Sequence, residues 1–186
     1  MSNFLYVDNS NVWIEGMHVA AVAAGIAPDI WTAQSAKITE RYSIDFGKLR
    51  EFAGGQAGDV ARATLYGSRP PPNDSLWKAA EAQGFEVVVY DRNAANREKK
   101  VDTKITTDIM TASFSIVHEG DEMTLVAGDR DYVPVAEALA ERGIPFHIAF
   151  WDHAAKELKA AATSFTSLDE YLEHLRRTYH RRQTTT

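Results

Sequence analysis

FLYVDNSNVWIEG, residues 4–16, decides the fold class. Phe4 to Val7 is a short apolar run with the composition of a strand. It stops at Asp8. From Asn11 to Ala24 the apolar residues Ile14, Met17, Ala21 and Val22 recur on roughly one face of a helix. A strand that runs through an acidic residue straight into a helix is the opening unit of an alternating α/β sheet.

The same alternation continues along the chain. Val60 to Tyr66, Phe85 to Tyr90, Met123 to Ala127 and Pro145 to Phe150 also read as strands. Several are nearly continuous in hydrophobicity, as expected where both sheet faces are covered. Helical patterns separate them over Asp45 to Phe52, Ser75 to Gln83, Asp102 to Val117 and Tyr132 to Arg142, two of them stopped by Gly84 and Gly143. The expectation is a doubly wound, mainly parallel sheet of about five strands with helices on both faces. Gly25 to Tyr42 fits no period; a lid, a binding loop and a small helical insertion all suit it. Ser68 to Asp74, with three consecutive prolines, reads as a stiff loop. No internal repeat or linker interrupts residues 1–186, so one domain is expected, with a C-terminal helix and basic tail over 167–186.

Composition narrows the chemistry. The 186 residues are 45% hydrophobic, enough for a substantial core. There is no cysteine, which removes disulfides, thiolate zinc sites and cysteine nucleophiles. No stretch is long and apolar enough for a membrane span, and the start of the chain reads as a strand rather than a signal peptide. The protein is therefore expected to be soluble and cytoplasmic. The net charge of −6 argues against a broad nucleic-acid-binding face. Basic residues collect at Arg92, Arg97, Lys99 and Lys100, and again at Arg176, Arg177, Arg181 and Arg182. The first group reads either as a solvated loop or as a set of phosphate contacts.

Carboxylates fall where an open α/β sheet places its site, beyond the carboxyl ends of its strands. The first strand runs into Asp8, with Asn11 close behind. The fourth runs through Ala127 and Gly128 into Asp129 and Asp131. Asp102 opens a helix that also bears Asp108. Converging carboxylates repel one another, and a hard divalent cation reverses that penalty. Such an ion can activate a water and neutralise a phosphoryl group. Asp8, Asn11, Asp129 and Asp102 each also suit a helix cap, and Asp108 a solvated surface charge. The six histidines show no H-E-x-x-H spacing, and no phosphate loop is present. Trp13 and Trp31 suit either packing or stacking on bases.

FLYVDNSNVWIEG, KKVDTKITTDIM (residues 99–110) and LVAGDRDYVPV (residues 125–135) together resemble the three signature motifs of the NYN domains, relatives of the PIN nucleases. The likeness spans Asn3 to about Trp151. It implies a PIN-like three-layer sandwich with strands one and four side by side, and a metal-dependent endoribonuclease site. By position, Asp8, Asp102, Asp129 and Asp131 match the acidic metal-site residues, for Mg2+ or Mn2+. Asn11 matches the polar position after the first strand, and Asp108 a further acidic position on the middle helix. These six are the candidate catalytic residues. Arg92, Arg97, Lys99 and Lys100 are the candidate contacts to RNA, single-stranded or structured. No membrane partner is expected, and a homo-oligomer is compatible with the sequence. One departure stands out: related sequences often carry serine before the Gly-Asp pair, where this chain has Ala127. That loss of a hydroxyl and the acidic charge favour the alternative, a non-catalytic PIN-like RNA-binding or regulatory module. The retained carboxylates favour the enzyme.

Overall fold

The computed structural model describes residues 1–55, 58–69, 74–91 and 97–178. Among the described residues six strands form one sheet: β1 (Asn3–Asp8), β2 (Val60–Arg69), β3 (Glu86–Asp91), β4 (Glu122–Val126), β5 (Phe146–Phe150) and β6 (Ser164–Ser167). They lie in the order β3-β2-β1-β4-β5-β6, and every neighbouring pair is parallel. The five expected strands are present, and a sixth extends the sheet at β5. β6 is the tetrapeptide SFTS, half exposed along its length, so it offers no apolar run to read.

Each parallel step needs a crossover, and the helices supply them. α1 (Asn9–Ala23), α2 (Ile30–Ser35) and α3 (Phe46–Gly54) join β1 to β2, and α4 (Ser75–Glu81) joins β2 to β3. α5 (Arg97–Ser115) returns the chain from β3 to β4. α6 (Val133–Glu141) and α7 (Lys156–Ala161) lead to β5 and β6. Right-handed crossovers place α3 and α4 on one face, and α5, α6 and α7 on the other. The packing of α3 on α4, of α5 on α6 and of α6 on α7 agrees. The result is the expected three-layer doubly wound sandwich. At the far end α8 (Leu172–Leu175) is a single turn; Arg176 beyond it pairs with Ile44 in an antiparallel bridge. The expected C-terminal helix is thus four residues long within the described part of 167–186.

The core explains the hydrophobic runs. All six residues of β1 are buried, since sheet neighbours and helices enclose it on every side. Tyr6 stacks on Tyr66 of β2, their ring centres 6.5 Å apart. Asn9, at the start of α1, is buried too. The unperiodic segment after α1 contains α2, whose Ala33 packs against Ala21 and Ala27 in a small cluster apart from the main core.

Gly128, two residues after β4, makes the tightest approach to a core ring of the described glycines. A Cβ there would lie 2.1 Å from Cδ1 of Phe150, far inside van der Waals contact. Gly128→Ala should lower the urea midpoint, at a cost of about 1–3 kcal/mol. Phe150→Leu in the same chain should return part of that loss, because the two positions couple by contact. Equal destabilisation by Gly128→Ala with and without Phe150→Leu would rule out the ring as the cause.

Candidate functional site

β1 and β4 are adjacent, and strand order reverses between them. At such a switch point the two following loops leave on opposite faces and open a crevice. Here the crevice is a cleft of about 370 Å³, lined by Asp8, Asn11, Glu15, Asp102, Asp129 and Asp131 among others.

Each aspartate arrives differently. Asp8 ends β1 and caps α1, its Oδ1 accepting from the Asn11 backbone N–H at 3.1 Å. It is only 3% exposed. Asp129 precedes a 3-10 turn (Arg130–Tyr132), yet its side chain makes no capping bond there. Asp102 does not open its helix: α5 begins at Arg97, so Asp102 lies in the second turn, beyond capping reach. The capping alternative therefore accounts for Asp8 and fails for Asp102 and Asp129.

Asn11 joins the two strand ends. Its Oδ1 accepts from the Gly128 backbone N–H at 2.9 Å, and its Nδ2 donates to Asp129 Oδ2 at 3.1 Å. The Gly128 donor fixes which end of the amide is oxygen. One side chain on α1 thus holds the loop after β4 against β1. Beneath them the buried Tyr132 points its hydroxyl at Asp102, donating to Oδ1 at 3.4 Å, a long and weak bond. Burial, then the charges of Asp8, Asp102 and Asp129, hold its phenol well above the ordinary tyrosine range.

The convergence is visible in Asp8. Burial, opposed by the N–H groups of Asn11 and Ser10 but reinforced by Asp102 and Asp129, lifts its pKa from 3.8 to about 7. Among the described residues no three Asp, Glu or His side chains close into an all-protein metal cage. Mg2+ does not require one. It is commonly held by one or two carboxylates, with water and substrate phosphate filling its other positions. Oxygen-only donors on two sides of an open cleft fit that demand.

Asp131 lines the mouth of the cleft and is exposed. Asp108 does not line it. Six residues beyond Asp102, it is about 9 Å further along the helix. There it accepts from Tyr66 Oη at 2.8 Å and pairs with Lys104 Nζ at 2.6 Å. Its contacts dock α5 on β2. Arg92 lies outside the described residues, while Arg97, Lys99 and Lys100 occupy the first turn of α5, just ahead of Asp102. Arg181 and Arg182 also lie outside them. Arg176 is engaged elsewhere, paired with Glu173 at 2.8 Å and bonded to the Arg41 carbonyl at 2.9 Å. Ala127 is fully buried in the core and is not among the cleft residues, so the missing hydroxyl changes the packing beneath the site rather than the cleft lining.

Sequence reasoning missed Tyr132 and Glu15. The signal for Glu15 was its spacing from Asn11, four residues along the same helix. Glu15 Oε2 accepts from Gln34 Nε2 at 2.7 Å and meets His153 Nε2 at 2.7 Å. Burial alone would raise its pKa; the bonds from His153 and Gln34 outweigh it and leave the carboxyl below its usual value.

The NYN domain family model matches residues 12–169. The matched span takes in Asp102, Asp129 and Asp131 and begins just after Asn11. Among solved structures, a protein of unknown function from Vibrio parahaemolyticus is similar over 91% of this chain and 93% of its own, with a TM-score of 0.65 and 19% identity. That likeness supports the fold. None of the curated proteins matches the chain.

The raised pKa of Asp8 has a consequence for stability. The folded state holds this proton more tightly than the unfolded chain, so its contribution is fully present below the ordinary 3.8 and is lost as pH rises towards about 7. Asp8→Asn removes the charge and keeps a side chain that caps equally well. Without divalent metal, the variant should be more stable than the parent at pH 8, by up to about 4 kcal/mol. The difference should shrink towards zero near pH 4. Chemical denaturation at both pH values checks this; a parent more stable than the variant at pH 8 would show that Asp8 is not electrostatically strained.

Proposed function

The chain belongs to the NYN family of PIN-like nucleases, and from that premise we propose that it is a metal-dependent endoribonuclease acting on RNA at the aspartate cleft. The observation that carries the reading is Asp8: a nearly buried carboxylate, at the switch point of the sheet, kept beside Asp102 and Asp129. A fold does not gain by burying like charges unless a cation or a proton offsets them.

Asp8, Asp102, Asp129 and Asp131 would between them hold one or two Mg2+ or Mn2+ ions, each on one or two of the carboxylates with water and substrate phosphate beside them. When bound, the ion would neutralise phosphoryl charge and lower the pKa of an attacking water. The chain's own residues would orient its ligands. Asn11 fixes Asp129 by its amide and Asp8 by its backbone N–H. Tyr132 adds a weaker hydrogen bond to Asp102 from below. Oriented ligands of this kind set the affinity and position of an ion. Asp108 would act at a distance, by holding α5 and hence Asp102 against the sheet. Arg97, Lys99 and Lys100 would meet the RNA backbone as it enters the cleft. No helix among the described residues is long and apolar enough to cross a membrane.

Labelled RNA incubated with Mn2+, Mg2+ or chelator tests the reading. The parent protein should cleave with metal and stop with chelator. Asp8→Asn and Asp129→Asn should remain folded and lose cleavage by at least a hundredfold, on the order of 3 kcal/mol of transition-state stabilisation. Added metal should raise the melting temperature of the parent and not of Asp129→Asn. Cleavage at the parental rate in the double variant would place the chemistry elsewhere. RNA binding without cleavage under any metal would favour the regulatory-module alternative.

A further inference from the structure

Trp31 is 66% exposed, the most exposed large hydrophobic side chain of the described residues after Phe114 and Met1. The other three tryptophans are used internally. Trp77 and Trp151 are buried, and Trp13 donates its indole N–H to the Tyr42 carbonyl at 2.9 Å. Leaving an indole in water forgoes one of the largest apolar burials a side chain can make.

The segment that carries Trp31 is firmly built. Asp29 caps α2, accepting from the Thr32 backbone N–H at 2.8 Å and from Thr32 Oγ1 at 3.0 Å. Ala33 is fully buried against Ala21 and Ala27. Gln34 donates to Glu15 Oε2, and His153 Nε2 meets the same oxygen, each at 2.7 Å. Glu15 and its neighbour Ile14 line the aspartate cleft. Trp31 and Gln34 are three residues apart in α2, so they share one flank of the helix. The indole is therefore presented one helical turn from the residue that ties α2 to the cleft wall.

We propose that Trp31 is a stacking platform for a base of single-stranded RNA whose backbone crosses the aspartate cleft, with Gln34, Glu15 and His153 holding the platform in place. The inference rests on the nuclease reading above and names the form of its substrate. The occupant follows from the nuclease reading, and charge selects the mode of contact. The chain is acidic overall, and Glu15 adds to the negative charge around the cleft. Phosphate contacts alone would give such a surface little affinity. Stacking on an aromatic ring is indifferent to that charge and to base identity. It needs an unpaired base, because the faces of paired bases inside a duplex are already covered by their neighbours.

Fluorescence and binding of one RNA sequence, as single strand and as duplex, test the proposal. All proteins carry Asp129→Asn so that the RNA is not consumed. The single strand should quench tryptophan emission, and the duplex should not. Trp31→Phe should bind the single strand within about threefold of its parent and lose most of the quench, because phenylalanine still stacks. Trp31→Ala should weaken single-strand binding roughly 10- to 100-fold. In the chain with Asp129 intact, Trp31→Ala should leave the rise in melting temperature with Mn2+ unchanged, which separates the platform from the metal cleft. Unchanged single-strand affinity in Trp31→Ala, or a full quench in Trp31→Phe, overturns the platform and leaves the nuclease reading standing. If Trp31→Ala instead converts a dimer to a monomer in sedimentation with RNA affinity unchanged, the indole belongs to a second copy and the proposal fails. Absence of both RNA cleavage and RNA binding by the parent chain would remove the nuclease reading itself.

Discussion

The reversal of strand order between β1 and β4 is the constraint on which the site depends. To the β2 side of β1, crossovers lie on one face of the sheet; to the β4 side they lie on the other. The chain leaving β1 and the chain leaving β4 must therefore part company, and the crevice between them cannot be filled by either. Asp8 and Asp129 stand on its two sides because each is the residue with which its loop begins or nearly begins. The hydrogen bonds of Asn11 to Gly128 and Asp129 then set how far the crevice opens. Gly128 has to be glycine for a separate reason, the ring of Phe150 behind it. The local sequence after β4 thus answers two demands at once: a close approach to the core and an acidic side chain facing out of it.

Burying Asp8 is unfavourable in the absence of a partner ion, and the fold tolerates it through neighbours that are not charged. Two backbone N–H groups at the start of α1 favour its ionised form. Against them stand burial and two nearby carboxylates, and these win. The hydrophobic core of β1, closed on both faces, is what holds the residue in place regardless. A site assembled on the most rigid strand of a sheet keeps its geometry when the charges oppose it. The same reasoning covers Tyr132, whose hydroxyl lies under three carboxylates and so stays protonated, able to donate and unable to add another negative charge.

Much of this was legible in the sequence, and the exceptions have physical causes. Long apolar runs such as FLYV and MTLV announced the inner strands, because strands covered on both faces must be apolar throughout. β6 escaped notice because a four-residue edge strand with half-exposed side chains has no such requirement. The start of α5 was placed at Asp102, a residue type that caps helices well, whereas the helix begins five residues earlier at Arg97. That shift decides the meaning of two aspartates. With the true start, Asp102 faces the cleft from the second turn, and Asp108 lies too far down the helix to reach it. Sequence spacing could not tell them apart, since both lie on the apolar-patterned helix and both suit an acidic position of the family motif. Tyr132 was hidden for a different reason: a buried tyrosine beside a strand end reads as core, and only its hydroxyl, invisible in a pattern, belongs to the site.

The acidic balance of the chain, taken alone, weighs against a nucleic-acid enzyme, and the geometry changes its weight. Charges on a protein surface act over a Debye length of about 8 Å at physiological ionic strength. Carboxylates on remote faces therefore contribute little repulsion at the cleft, whereas those lining it contribute most. Those same carboxylates are the ones a divalent cation would neutralise. With them neutralised, the proposed phosphate contacts Arg97, Lys99 and Lys100, which precede Asp102 in the first turn of α5, would no longer be opposed at the entrance. Net charge is a sum over the whole surface, and a small site can carry the opposite sign from that sum. What the value of −6 does argue for is a narrow footprint, one cleft and its rim rather than a long basic groove.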